Sequence, residues 1–157
     1  MRRLGARRSR GAALSARIVE AAAILPGSAE GAPLRLDEPL SFWGGLDPVT
    51  GVIIDRWHPQ SGANVAGRVL LMPAGRGSSS GSATLAEAIR LGVGPAAILT
   101  LQRDAIIVVG ALVAAELYRR TCPVALVAEA DWAPLAAAAW LTVQAQGSRA
   151  TIGVTLC

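Results

Sequence analysis

The segment Pro73-Ala74-Gly75-Arg76-Gly77-Ser78-Ser79-Ser80-Gly81-Ser82 is the part of this 157-residue chain best suited to chemistry. It follows the apolar run Ala66–Met72 and precedes a helical pattern. Glycines let the backbone turn tightly and let a ligand come close. A helix N-terminus offers N–H groups without intrahelical partners and the positive end of the helix dipole. The combination suits an anion or an ionised hydroxyl. A phosphate-binding P-loop needs a Lys after its last Gly, and the chain has no Lys at all, so that reading fails. Gly77-Ser78-Ser79-Ser80-Gly81 matches G-x-S-x-G, the nucleophile elbow of hydrolases, where the catalytic His follows the Ser. The single histidine here, His58, precedes it. The plain alternative is a solvated Gly/Ser turn.

Other candidates stand around this loop. Arg76, inside it, suits a carboxylate or phosphate clamp, and suits equally a surface charge or a contact to a partner chain. Asp47 and Asp55 flank the Gly-rich loop, but spacing alone does not pair carboxylates. His58, between Trp57 and Pro59, reads first as a turn or packing residue and second as a base. Arg103-Asp104 reads as a solvated turn. The two cysteines, Cys122 and Cys157, are too few for a four-Cys zinc site or for most iron–sulfur clusters, so no metal site is expected in this chain.

These residues need elements to hold them. Ala12–Leu25 reads as a helix ended by Pro26-Gly27, with a first strand over Arg17–Ala23 as the alternative. Pro33–Glu38 alternates apolar and polar residues and predicts a strand. Ser41–Gly51 is a structured loop, Val52–Asp55 a short strand, His58–Gly62 another loop and Ala66–Met72 a strand. Thr84 and Glu87 have capping-box spacing, which places a helix start near Thr84. Gly92, Gly94 and Pro95 end that helix. Ala96–Leu101 and Ala105–Val109 read as strands, Ala111–Arg120 as a helix and Cys122–Ala128 as a strand. Asp131 is placed to cap a helix running to Trp140. Leu141–Gln146 and Ala150–Leu156 predict a closing hairpin about Gln146-Gly147-Ser148. Strands alternating with short helices predict an α/β domain with a buried, partly parallel sheet.

An apolar fraction of 52% against 17% charged is a folding composition. With aromatics at only 4%, the core must be built from Ala, Val, Leu and Ile. The net charge of +4 does not describe the folded body, because six of the fifteen arginines fall within residues 1–17, where there is no acid. The rest of the chain holds nine Arg against eleven acids, which argues against a nucleic-acid binder. Residues 1–17 are read as a basic, disordered leader ahead of a domain over 18–157. A targeting peptide or a nucleic-acid or membrane arm are the other readings. No apolar run reaches the ~20 residues that span a bilayer, so no membrane association is expected and the cytoplasm is the default location.

In order, Phe42-Trp43-Gly44-Gly45-Leu46-Asp47-Pro48-Val49-Thr50-Gly51, Ile53-Ile54-Asp55, His58-Pro59 and Gly62 are followed by Gly67-Arg68-Val69-Leu70-Leu71-Met72-Pro73. Then come Gly75-Arg76-Gly77-Ser78, Gly81-Ser82, Pro95-Ala96-Ala97-Ile98 and Ala114-Ala115-Glu116. This series, covering about Leu34 to Val127, resembles the swivel domain of aconitase X.

The resemblance implies a swivelling β/β/α fold and a hydro-lyase that removes water from a small hydroxy acid. It implies a large subunit, supplied in trans, that carries an iron–sulfur cluster and most of the substrate site. It further implies that the swivel domain closes over that partner and supplies a serine, here Ser78, the residue after G-R-G. This serine is similar to the one in the G-x-G-S-S-R segment of aconitase. Its alkoxide would take the proton next to the substrate carboxylate, while the partner's metal accepts the leaving hydroxyl. Gly75, Arg76, Gly77, Ser79 and Ser80 would line the substrate, with support from Asp47 and His58. Aconitase has an Arg two residues after its serine, where this chain has Ser80, so the clamp would be Arg76 or would come from the partner. The family includes enzymes for cis-3-hydroxy-L-proline and for phosphomevalonate. The Arg-only, Ala-rich composition, which looks like that of a GC-rich bacterial genome, favours the first as the expected substrate, with the second as the alternative. A non-catalytic anion- or partner-binding module is the reading from another class. The Ala-rich, charge-poor helices suggest a face covered by the partner.

Overall fold

The computed structural model describes residues 17–156. In chain order the elements are β1 (Arg17–Leu25), β2 (Gly27–Gly31), β3 (Pro33–Arg35), α1 (Phe42–Gly45), β4 (Val69–Leu71), α2 (Ser80–Arg90), β5 (Ala97–Thr100), α3 (Ala105–Tyr118), β6 (Val124–Leu126), α4 (Glu129–Ala136), β7 (Trp140–Gln146) and β8 (Arg149–Thr155). The strands form one sheet in the order β2-β7-β8-β1-β6-β5-β4-β3. Strands β3 to β6 run parallel to one another, and the remaining pairings are antiparallel. The two edge strands, β2 and β3, follow each other in the chain with only Ala32 between them. Val69 N–H donates to the Ala32 carbonyl at 3.1 Å. The edges therefore meet at one corner, and the sheet comes close to closing into a barrel. This is the mixed α/β architecture expected of a swivel domain.

Two apolar clusters share the sheet. Leu70, Met72 and Ile98 pack with Leu85, Ile89 and Ile107 beneath α2 and α3. Val69, Leu71, Ala97 and Leu99 pack with Leu141, Val143, Ile152 and Val154, and with Trp132 and Leu135 of α4. Successive residues of β4 and β5 thus enter opposite clusters, which is why both strands read as unbroken apolar runs. Burial of each such leucine contributes about 1.5–3 kcal/mol. The core is aliphatic, as the shortage of aromatics requires.

The first segment is the strand, not the helix. Val19, Ala21 and Ala23 lean on the same cluster at a period of two, and β1 is paired on both sides, by β8 and β6. Arg17 opens β1 and is 3.0 Å from Asp131. The remainder of the expected leader, residues 1–16, lies outside the described residues. Ala105–Val109 is not a strand but the first part of α3, because Asp104 caps that helix through its carboxylate, which accepts the Ile107 N–H at 3.0 Å. The pair Arg103-Asp104 is therefore a helix start and not merely a solvated turn. Thr84 does not begin α2. The helix starts at Ser80, Thr84 Oγ1 donates to the Ser80 carbonyl at 3.3 Å, and Glu87 instead pairs with Arg90 at 2.6 Å. Asp131 lies inside α4, whose N-cap is Ala128, and Trp140 begins β7. Val52 and Ile53 make only isolated bridges, to Asn64 and Leu46, and form no strand. The closing hairpin forms about Gly147-Ser148, with Gln146 paired to Arg149. Strand β2 was not anticipated.

Candidate functional site

The Gly/Ser loop hangs between two rigid elements, β4 and α2, and is fastened along its length. Met72 N–H donates to the Leu99 carbonyl at 3.0 Å, and Leu101 N–H to the Pro73 carbonyl at 3.1 Å. These bonds carry the β4–β5 pairing to the foot of the loop. Gly75 bridges Leu40, whose N–H points at Met72 Sδ at 3.4 Å. Gly75 also lies flat against Asp104. A Cβ at this position would stand 2.5 Å from Asp104 Oδ2, closer than any real contact. Gly77 has φ +100°, and its Cα faces the hydroxyl of Ser41, which itself donates to the Trp43 carbonyl at 3.0 Å. Only glycine holds that dihedral without strain.

From Gly77 the chain passes straight into α2. The Gly81 N–H donates to the Ser78 carbonyl and the Ser82 N–H to the Ser79 carbonyl, each at 3.0 Å. N–H groups earlier than these have no intrahelical acceptor, and the first turn of α2 contains no acid to cancel the positive end of its dipole. Arg76, Gly77, Ser78, Ser79 and Ser80 are all exposed. Ser78 is therefore presented to the outside beside a helix N-terminus, a setting that favours the ionised form of a hydroxyl. Ser82 is different: it is buried, and its hydroxyl donates to the Ile106 carbonyl at 2.8 Å, tying α2 to α3.

The structure brings Arg76 and Asp55 together. Arg76 Nη2 is 3.4 Å from Asp55 Oδ2. Asp104, against Gly75, is the second carboxylate at the loop, and spacing in the sequence did not signal it. His58 is 4% exposed, and both ring nitrogens are engaged: Nε2 lies 3.1 Å from the Glu38 carbonyl, and Nδ1 accepts the Gln60 N–H at 3.1 Å. This fixes the tautomer with the proton on Nε2 and makes His58 a fastener of the Glu38 and Gln60 turns. Asp47 is committed to its own turn. The Val49 N–H at 2.9 Å and the Thr50 hydroxyl at 2.8 Å donate to its carboxylate and hold it below its ordinary value of 3.8. Cys122 is buried, which pushes its thiol up to about 12 and removes it as a nucleophile. Among the described residues, no group of three or more His, Cys, Asp and Glu is placed to hold a metal ion.

Two results are expected here. Asp104→Ala removes the α3 cap and should cost about 1 kcal/mol in urea denaturation at unchanged m. Asp47 has a lowered folded-state value, so its contribution is present above the ordinary carboxylate range and fades as pH falls through it. The stability gap between wild type and Asp47→Asn, measured by thermal melting, should be full at neutral pH and shrink below pH 3.8.

Several large apolar side chains stand in the open. Trp57 is 93% exposed and Trp43 65%, and α3 exposes Val109, Leu112, Leu117 and Tyr118. Large apolar side chains left exposed in this number are a mark of interaction surface. No helix among the described residues is long and apolar enough to cross a membrane.

Residues 18–153 match the sequence profile of the aconitase X swivel domain. The chain is 48% identical over 106 residues to the cis-3-hydroxy-L-proline dehydratase of Pseudomonas aeruginosa, covering 68% of this chain and 18% of that protein. It is 43% identical over 96 residues to the phosphomevalonate dehydratase small subunit of Methanothermobacter thermautotrophicus, covering 61% of this chain and 73% of that one. The crystal structure of Thermococcus kodakaraensis aconitase X in its holo form superposes with a TM-score of 0.69 at 27% identity, covering 87% of this chain and 98% of that chain. The chain thus spans about a fifth of the hydroxyproline dehydratases it matches and most of the phosphomevalonate small subunit.

Proposed function

The chain belongs to the aconitase X swivel domain family, and from that premise we propose that it is the small subunit of a cytoplasmic hydro-lyase, closing over a large subunit that holds the substrate. The observation that carries this reading is the presentation of Ser78. It is exposed at the end of a loop fastened to β4, β5 and α3 and stands beside the N-terminus of α2. A rigidly held but open serine suits a substrate brought to it by another surface. Ser78 takes the proton from the carbon next to the substrate carboxylate. The electron pair left behind forms the new double bond as the neighbouring carbon–oxygen bond breaks. The departing hydroxide takes up the proton that Ser78 releases, directly or through solvent, so that water leaves and the serine returns to its starting state. The family implies an iron–sulfur cluster in the large subunit. Among the described residues of this chain no ligand set fits one.

The favoured substrate is cis-3-hydroxy-L-proline. Around the loop Arg76 is accompanied by Asp55 and Asp104. The two carboxylates held against the loop, Asp55 at Arg76 and Asp104 at Gly75, suit the ammonium of a zwitterionic amino acid better than the additional negative charge of a phosphate ester. Phosphomevalonate is the second reading, supported by the match to a protein named as a small subunit. The test is co-purification with the large subunit and a dehydration assay on both compounds. Turnover of hydroxyproline by the pair, and none by either chain alone, is the expected result. A stable pair that turns over only phosphomevalonate would reverse the substrate choice. Failure to form a pair would favour a non-catalytic module.

A further inference from the structure

We infer that Asp55 is a positioning residue for substrate binding: it aims Arg76 so that the free edge of the guanidinium meets the carboxylate of a substrate brought to Ser78. The inference rests on the subunit reading above. Arg76 is separated from Ser78 by Gly77 alone. Its side chain is 56% exposed, and an arginine left free there would have to give up rotamer freedom each time it bound an anion. Asp55 is its opposite. Its side chain is only 18% exposed, and it is tethered independently of Arg76. Oδ1 accepts the Trp57 N–H at 3.0 Å, the Asp55 carbonyl accepts the His58 N–H at 3.2 Å, and the neighbouring Ile54 N–H donates to the Gly45 carbonyl at 2.8 Å.

Oδ1 is thus used by the turn, and Oδ2 is left to face Arg76 Nη2 at 3.4 Å. The relation runs one way. The turn does not need Arg76, whereas Asp55 gives Arg76 a fixed point. A guanidinium carries five N–H donors in a rigid fork. Contact at one nitrogen leaves the rest for a two-point grip on a carboxylate. An exposed ion pair adds little to stability, so the use of this one lies in direction. Asp55 also offsets part of the Arg76 charge, which favours a single carboxylate over a more highly charged phosphate.

The test uses the assembled pair and cis-3-hydroxy-L-proline. Asp55→Asn keeps the size of the side chain and the acceptor for Trp57 N–H. KM is expected to rise about tenfold, with kcat within twofold of wild type. Arg76→Gln should raise KM at least as much, and the double variant should be no worse than Arg76→Gln alone, since two residues acting on one contact are not additive. In the chain alone, the NMR order parameter of the Arg76 Nε–H should fall in Asp55→Asn. An active wild-type pair with unchanged KM in Asp55→Asn overturns the inference and leaves the subunit reading standing. So does a KM effect of equal size in the Arg76→Gln background, which would make Asp55 merely structural. A wild-type pair that dehydrates nothing fails at the subunit reading and takes the inference with it.

Discussion

Replacing Ser78 with alanine should leave an assembled pair whose kcat is lower by about 10²- to 10⁴-fold, the range over which a positioned proton-transfer group contributes. The substitution removes one oxygen from an exposed position. The bond that the Ser78 carbonyl accepts from the Gly81 N–H does not involve that oxygen. Stability should therefore stay within about 0.5 kcal/mol of wild type, as for most surface changes. KM should hardly move if, as proposed, the grip on the substrate lies with Arg76 and the partner. This combination of lost turnover, kept assembly and kept affinity separates a reacting group from a structural one. Steady-state kinetics and a melting curve on the same preparation decide it. Activity within threefold of wild type would remove Ser78 from the reaction and leave the chain as a binding module.

Gly77→Ala should be nearly as damaging to activity, for a reason that lies in the backbone. At φ +100° an L-residue is strained, and its Cβ would run into the Ser41 hydroxyl and stand 3.2 Å from Ser41 Cβ. A conformation of this kind costs about 1–3 kcal/mol. The loop can escape only by re-routing, which moves the next residue, Ser78. A displacement of about 1 Å at a reacting group is enough for a 10²-fold loss. The expected result is a fall in kcat/KM of about that size with a modest drop in melting temperature. Adding Ser41→Gly removes the collision but not the dihedral, so it should restore only part of the loss. Full activity in Gly77→Ala would show that the loop's path is not what places the serine.

The core of the fold was legible wherever burial was uniform. The unbroken apolar runs of β4 and β5 announced strands buried on both faces, and Gly147-Ser148 announced the closing hairpin. Legibility failed where local patterns were ambiguous. The alanines of β1 carry no strand preference, and only their lean onto one cluster and their two neighbours decide the matter. Thr84 and Glu87 copy a capping box, but α2 starts earlier and without a side-chain cap. Asp104 was in plain view as a cap for α3 and was obscured by the β-branched residues that follow it. At the candidate site, an exposed Gly/Ser loop between a buried strand and a helix was readable from the order of residues, whereas Ser78 was singled out only by the family resemblance. The contacts of Asp55 with Arg76 and of Asp104 with Gly75 were not, since they join segments 21 or more residues apart.

The pairing of the first and last strands bears on how such a domain can be passed between proteins. Arg17 lies opposite Val154, so the chain enters and leaves the sheet at neighbouring points. A short linker from Thr155 to Arg17 would therefore close the chain into a ring, and a permutant opened at Gly147-Ser148 would keep every strand neighbour except the hairpin turn. In the same way, the domain can be spliced into a longer polypeptide through either end, or both, with little change in chain entropy. One architecture can then serve as a free-standing chain or as a fifth of a larger one, and gene fusion or fission need not disturb the serine loop.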